Sequence, residues 1–361
     1  MNVLKVKESP LMKIYMAVRN PFYKATNPYV SSLMKSIDAQ FGDVEWGYGL
    51  DVFWTDKIFE YDIVHIHWPH MLVSEHSAVE LKKRIATLKE RNVKIVSTCH
   101  NLEPHYSSNV DYKQSYDIVY ANSSVVLHMG MFSLNLLKEK YPLVKHVILP
   151  HQTQDLIYKE YPSKEDALNK LGLSSGQRYI ICFGLFRNDE ERKLIVDLSK
   201  KISRKKITIL APSFYRIPKG RNPLRKLPTL LKYLLTSLRY PRIKKCLEYV
   251  SDDLLPYFYA AADLALVQRV KILNSGNVPL ACLMKKVVVG PDFGNVGLLL
   301  DELENPKFDP NDESSIEKAV LQGLEYSLNG KGEKNYEYAK KNFSTAVIAS
   351  KLYSYYKDSL L

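Results

Sequence analysis

The sequence predicts an α/β protein made of two doubly wound halves, each a parallel sheet with helices on both faces. Three observations predict it. From Met12 onward, short apolar runs rich in β-branched residues alternate with stretches of helical periodicity, the pattern of a parallel sheet buried between helices. The alternation breaks at Pro150, and residues 151–175 hold turn residues and one short helical pattern. It resumes at Tyr179 and continues to the end of the sequence. Two such halves place a cleft between them, and ligands of open α/β sheets bind outside the carboxyl ends of the strands.

In the first half, residues 12–18 read as a strand. Residues 27–41 follow as a helix, with Val30, Leu33, Met34 and Ile37 at helical spacing. A second strand covers 62–67, a helix of mixed charge 75–91, and a third strand 93–99. A polar loop, 100–109, leads to a strand at 117–121, a helix at 125–141 and a strand at 146–149. The second half opens with a helix at 164–171 closed by Gly172. Strands then fall at 179–183, 207–211, 264–267 and 287–290. Helices fall at 190–202, 252–262, 275–284, 314–327 and 345–357. The predicted domains are 1–158, 159–344 with a basic insertion at 212–246, and a helix within 345–361.

Composition excludes several classes. The chain has 361 residues, 46% hydrophobic and 25% charged, which suits two soluble domains with real cores. No apolar run approaches the ~18 residues of a membrane-spanning helix. Residues 1–10 lack the apolar core of a secretory signal. The four cysteines stand far apart with no C-x-x-C pair, which fits buried thiols in a reducing compartment. A cytoplasmic protein is expected.

The loops after the strands carry the candidate chemistry. Asn27-Pro28 opens the first helix as a cap, and a helix start facing a cleft also offers N–H groups to an anion. His100 stands in the polar loop after the third strand, either as a structural hydrogen-bonding residue or as a catalytic one. His65, His67 and His70 share a strand end and suggest a metal site, but no Asp follows at a usable offset and Trp68-Pro69 crowds the place. No metal is expected. Gly184 begins a strand-to-helix turn in which Arg187 is placed to clamp a phosphate. Asn274, Ser275, Gly276 and Asn277 open a helix beyond Lys271, and its first amides suit a diphosphate. Neither segment is a Walker loop or a G-x-G-x-x-G fingerprint, which disfavours a nucleoside triphosphatase or a dehydrogenase.

Taken in order, these segments resemble the retaining GT-B-fold glycosyltransferases that use nucleotide sugars. The similar phrases are DIVHIHWP at 62–69, STCHNLEPH at 97–105, ILPHQ at 148–152, FGLFRND at 183–189, VSDDLLPYFYAAADLAL at 250–266 and LNSGNVPLACLMKKVVVGPDFG at 273–294. The resemblance implies two Rossmann-like domains facing across a cleft. It implies an N-terminal acceptor domain, with Asn27, Tyr29 and Glu103 as candidate contacts. It also implies a C-terminal domain binding a UDP- or GDP-sugar through Gly184, Lys271, Asn274, Ser275, Gly276 and Asn277. His100 and Arg187 would be the catalytic pair, no cofactor beyond the nucleotide-sugar co-substrate would be needed, and the helix at 345–357 would return to the first domain. The chain departs from the family in two places. Lys271 and Pro279 stand where a glutamate pair is common, and Glu190-Glu191 where Lys-Gly is common; Lys193 or Lys271 are candidates for the missing positive charge. The alternatives are a non-catalytic accessory subunit and a metal-dependent hydrolase.

Net charge is +12, and ten Lys and Arg with no Asp or Glu lie between Arg216 and Lys245. Within this stretch Leu227, Leu230, Leu231, Leu234, Leu235 and Leu238 form one apolar stripe of an amphipathic helix. Arg225, Lys226, Lys232 and Arg239 flank it, with Leu231 and Leu234 at its centre. An anionic membrane surface is the expected partner. The other readings are leucines packed on their own domain and, less favoured because aromatic interleaving is absent, nucleic acid. A lipid-linked acceptor would place the protein at the inner face of the cell membrane.

Overall fold

The computed structural model describes residues 11–23, 27–104, 108–217, 223–246 and 250–361. The first ten residues, His105 of the polar loop and Lys219 and Arg221 of the basic stretch lie outside the described residues. The chain divides into two compact units. One takes the residues up to Gln152 together with Thr345–Leu361, and the other is Thr153–Ser344.

The first unit runs β1 (Met12–Ala17), α1 (Tyr29–Gln40), β2 (Val44–Tyr48), β3 (Ile63–Ile66), α2 (Ala78–Glu90), β4 (Lys94–Cys99), α3 (Val110–Asn122), β5 (Val125–His128), α4 (Met131–Lys140) and β6 (Lys145–Ile148). The second runs α5 (Lys164–Lys170), β7 (Arg178–Ile181), α6 (Asp189–Lys201), β8 (Ile207–Leu210), α7 (Leu227–Arg239), β9 (Ile243–Lys244), α8 (Leu255–Ala261), β10 (Leu264–Leu266), α9 (Asn277–Leu283), β11 (Val287–Pro291), α10 (Gly294–Glu302), β12 (Lys307–Phe308), α11 (Ser315–Leu328) and α12 (Lys331–Phe343). Helix α13 (Thr345–Leu360) then packs on α1.

Both sheets are six-stranded, in the orders β2-β1-β3-β4-β5-β6 and β12-β11-β10-β7-β8-β9. All pairings are parallel; Ile14, for example, stands beside Trp46 on one side and Ile63 on the other. The central strands β3, β5 and β8 are buried along their whole length, as expected of strands covered by helices on both faces. In the first unit Ile14, Met16, Ile63 and Leu127 meet Leu33 and Ile37 of α1 and Ile348, Leu352 and Tyr356 of α13. Each such aliphatic side chain contributes about 1.5–3 kcal/mol by leaving water.

The strand orders locate the sites. Chain direction across the sheet reverses between β1 and β3 in the first unit and between β7 and β10 in the second. These are the topological switch points at which ligands bind open α/β sheets.

Three expectations are corrected. Residues 117–121 are helix, not strand: Tyr116, Val119 and Tyr120 of α3 turn one face inward, and Asn109 caps the helix by accepting from the N–H groups of Asp111 and Tyr112. The expected helix at 125–141 is strand β5 followed by α4, because Val125 and Val126 extend the chain before Gly130 breaks it. The cap of α1 lies one residue earlier than an N-cap proper. The backbone N–H of Tyr29 donates to Asn27 Oδ1 at 3.0 Å, while Pro28 occupies the cap position.

Candidate functional site

At the β1/β3 switch point, three histidines gather around Tyr29, and a fourth, His65, stacks on one of them, His67. The Tyr29 ring lies edge-on to those of His67, His100 and His151, with centroids 5.9, 5.0 and 4.9 Å away. His67 Nδ1 and His100 Nε2 share a hydrogen bond of 3.0 Å, and the indole of Trp68 stacks on His100. Beneath them, His65 is held by Tyr356 Oη at 2.6 Å and Thr98 Oγ1 at 2.8 Å. Burial holds these imidazoles neutral. It drives His65 down to about 3, and His67 and His100 well below the ordinary range, with mutual repulsion among the histidines adding to the effect. His67 Nε2 and Tyr29 Oη are buried with no hydrogen-bond partner among the described residues. Two such atoms at a switch point are unusual enough to need an explanation.

The structure does not unite the other two candidates with this cluster. Asn27 is exposed and engaged as the cap of α1. Glu103 is exposed and lies 3.8 Å from Lys113. Nor do the three strand-end histidines converge, since His70 bonds Tyr116 Oη at 2.8 Å. Among the described residues no group of three or more His, Cys, Asp or Glu is placed to hold a metal ion.

At the β7/β10 switch point, the turn after β7 meets the loop after β10. Gly184 takes φ +99°, and a Cβ there would stand 3.1 Å from Asn277 Nδ2 and 3.8 Å from Arg269 Nη2. The Asn277 amide donates to the Phe183 carbonyl at 2.6 Å. Arg269 Nη2 donates to Leu185 O at 3.3 Å, and Arg269 Nε lies 3.7 Å from Glu191 Oε1. The other oxygen of Glu191 accepts from the Arg187 backbone N–H at 2.8 Å. The loop itself is pinned where Asn295 Nδ2 donates to Asn274 Oδ1 at 2.7 Å. Ser275 Oγ and Gln268 Nε2 are buried without a partner among the described residues.

Gly184, Asn274, Ser275, Gly276 and Asn277 are thus brought to one place, while Lys271 and the side chain of Arg187 are exposed. Lys193 is exposed on the surface of α6. It is paired with Glu313 at 2.7 Å and Asp197 at 3.2 Å. Arg269, at a strand's carboxyl end, brings its guanidinium to the Gly184 turn. Glu191 is nearly buried rather than an outward substitution, and it orients both the turn and the guanidinium.

No protein-family model and no curated protein matches the chain. Solved structures do match along nearly its full length. It is similar to sucrose-phosphate synthase from Thermosynechococcus elongatus at TM-score 0.71 and 14% identity, covering 96% of this chain and 98% of that one. A glycosyltransferase from Rickettsia africae matches at 0.69 and 15%, covering 97% and 99%. HepE from Anabaena, solved in complex with UDP, matches at 0.68 and 12%, covering 96% and 100%. The fold is that of these proteins: two Rossmann-like domains, the GT-B architecture.

Proposed function

We propose that the protein is a glycosyltransferase that moves a sugar from a UDP- or GDP-linked donor to a saccharide or lipid-linked saccharide, with retention at the sugar carbon. The observation that carries this reading is the second unit's switch point, where Arg269 faces the Gly184 turn beside the Ser275–Asn277 amides. A glycine permits close backbone approach, and a guanidinium with peptide N–H groups offers charge-assisted donors to a diphosphate. In the reaction the bond from sugar C1 to the diphosphate oxygen breaks and one from C1 to an acceptor hydroxyl oxygen forms, the hydroxyl proton passing to the released diphosphate. Stabilising that departing charge is the main electrostatic task, and the Arg269 guanidinium would contribute to it. His100, neutral, is suited to hydrogen-bond a sugar hydroxyl and not to act as a cation.

The reading extends to location. Every residue of α7 is at least partly exposed, and Leu231, Leu234 and Leu238 are 55%, 57% and 81% exposed. Its inner side is tied down by Thr236 to Tyr215 at 2.7 Å and by Tyr233 to the Lys245 carbonyl at 3.2 Å. Leu227 and Leu235 are exposed as well, while Leu230 is half-buried. With Arg225, Lys226, Lys232 and Arg239 beside them, they suit the headgroup region of an anionic membrane. No described helix is long and apolar enough to cross one. Peripheral attachment would present a lipid-linked acceptor, as in polysaccharide or glycolipid synthesis.

The test is a thermal-shift panel of UDP, GDP, ADP and their common sugar conjugates without added metal. A rise of several degrees with UDP or GDP is expected, since a ligand stabilises by RT ln(1 + [L]/Kd). No rise with any of them at millimolar concentration would remove the donor site.

A further inference from the structure

The polar anchor of the histidine stack lies outside it, partly on the last helix of the chain. His65 and His67 stand two residues apart at the end of β3 and so share one face. Their rings stack with centroids 4.1 Å apart and planes 28° from parallel. The His67 side chain has one hydrogen bond among the described residues, from Nδ1 to His100 Nε2, while its Nε2 is buried without a partner. One such bond does not fix the plane of the ring; the rings packed on it do. His65 is the nearest of them, the others standing 5.3–5.9 Å away.

His65 is itself held at both nitrogens, by Tyr356 Oη on Nδ1 and by Thr98 Oγ1 on Nε2. All three residues are 1% exposed or less. A neutral imidazole offers one N–H and one bare nitrogen, so the two hydroxyls occupy it fully and a half-turn of the ring would break both bonds. Tyr356 reaches the ring from α13, which also packs on α1, the helix that opens with Tyr29. The last helix thus meets the cluster on two sides.

We propose that Tyr356 and Thr98 are positioning residues for His100, acting through His65 and His67, an inference that rests on the reading of His100 as a group that hydrogen-bonds the transferred sugar. Neither hydroxyl bonds His100 itself. Losing one of them frees His65 to turn and His67 to follow, and the His100 ring then leaves its place. A shift of about 1 Å in a catalytic group costs up to ~100-fold in rate.

The test begins with full-length protein carrying 15N-labelled histidine, whose ring N–H signals report the stack without any substrate. Tyr356→Phe keeps the aromatic ring and removes only the hydroxyl. It should shift the signals of His65, His67 and His100 and lower turnover about 10-fold, with donor KM and the nucleotide melting shift within about twofold of wild type. Thr98→Val should act alike by a second route, and Thr98→Ser should restore both readings. Tyr355→Phe is the control, since its hydroxyl donates to the Ile148 carbonyl at 3.0 Å and not to the stack; it should match wild type in both. Turnover is read as UDP or GDP released from the sugar conjugates of the melting panel. Unchanged histidine signals or wild-type turnover in Tyr356→Phe, or an equal loss in Tyr355→Phe, would overturn the proposal. Wild-type protein that releases no nucleotide would instead strike the transfer reading, and the histidine signals would still decide whether Tyr356 and Thr98 hold His100 in place.

Discussion

Arg269 and Glu191 form an ion pair at 3.7 Å with both side chains largely out of water, 15% and 6% exposed. It joins the loop after β10 to the first turn of α6. Arg269→Ala is expected to weaken UDP binding about 10–100-fold, the worth of a lost charge-assisted hydrogen bond. It should also lower stability by about 3 kcal/mol, because a buried carboxylate loses its partner. Arg187→Ala, at an exposed position, should cost less, about threefold in affinity. Calorimetric titration with UDP measures both, and wild-type affinity in Arg269→Ala would remove that residue from the phosphate site.

His100→Ala is expected to lower turnover about 100-fold while changing donor affinity by less than about threefold, as befits a group acting late in sugar transfer. His67→Gln, which disturbs the partner that orients His100, should cost about 10-fold. Steady-state kinetics separate the two effects. Full turnover in His100→Ala would end its catalytic role.

The buried imidazoles make acid sensitivity predictable. Burial lowers both His65 and His128 to about 3. An unfolded histidine takes up a proton near pH 6.5, so below that pH the unfolded chain binds more protons than the folded one. This contribution to stability is fully present above pH 6.5 and shrinks as pH falls toward 3. Its slope is about 1.4 kcal/mol per pH unit for each such histidine. Melting temperature should fall steeply between pH 7 and pH 5. A flat profile over that range would show that these side chains are not buried neutral.

For α7, co-sedimentation with vesicles containing phosphatidylserine should pellet the wild type and not a Leu231→Glu, Leu234→Glu variant. Pelleting should weaken as salt rises, since each basic residue near the surface is worth about 1 kcal/mol and is screened by ions. Equal pelleting of both proteins, or of neither, would dismiss the membrane surface.

Much of this was legible in the sequence for identifiable reasons. Long β-branched runs such as Ile207–Leu210 define buried parallel strands whatever surrounds them. Ser77 and Glu80, which form a reciprocal capping box, announce α2. What escaped had weak local signals. Strand β2 contains Gly47 and has one buried residue, so its place at the sheet edge follows from pairing with β1. Helix α10 opens at Gly294, where φ is +62° and a Cβ would meet the Ile272 carbonyl at 2.7 Å. That glycine reads as a loop until the close approach is seen. The Gly184 turn and the Ser275 loop could be named from glycines and caps, but the place of Arg269 beside them could not. Its partners Leu185 and Glu191 lie some eighty residues earlier, and only the β7–β10 adjacency brings them together.

The placement of α13 bears on how the protein is made. Ile348, Ala349, Leu352 and Tyr356 sit in the core of the first unit, yet a ribosome delivers them only after all of Thr153–Ser344. Domains of many proteins close one after another as they emerge. Here the first unit lacks the cover of α13 until the second unit has been synthesised. A chain stopped short of residue 345 would leave the face of α1 that α13 covers open to water.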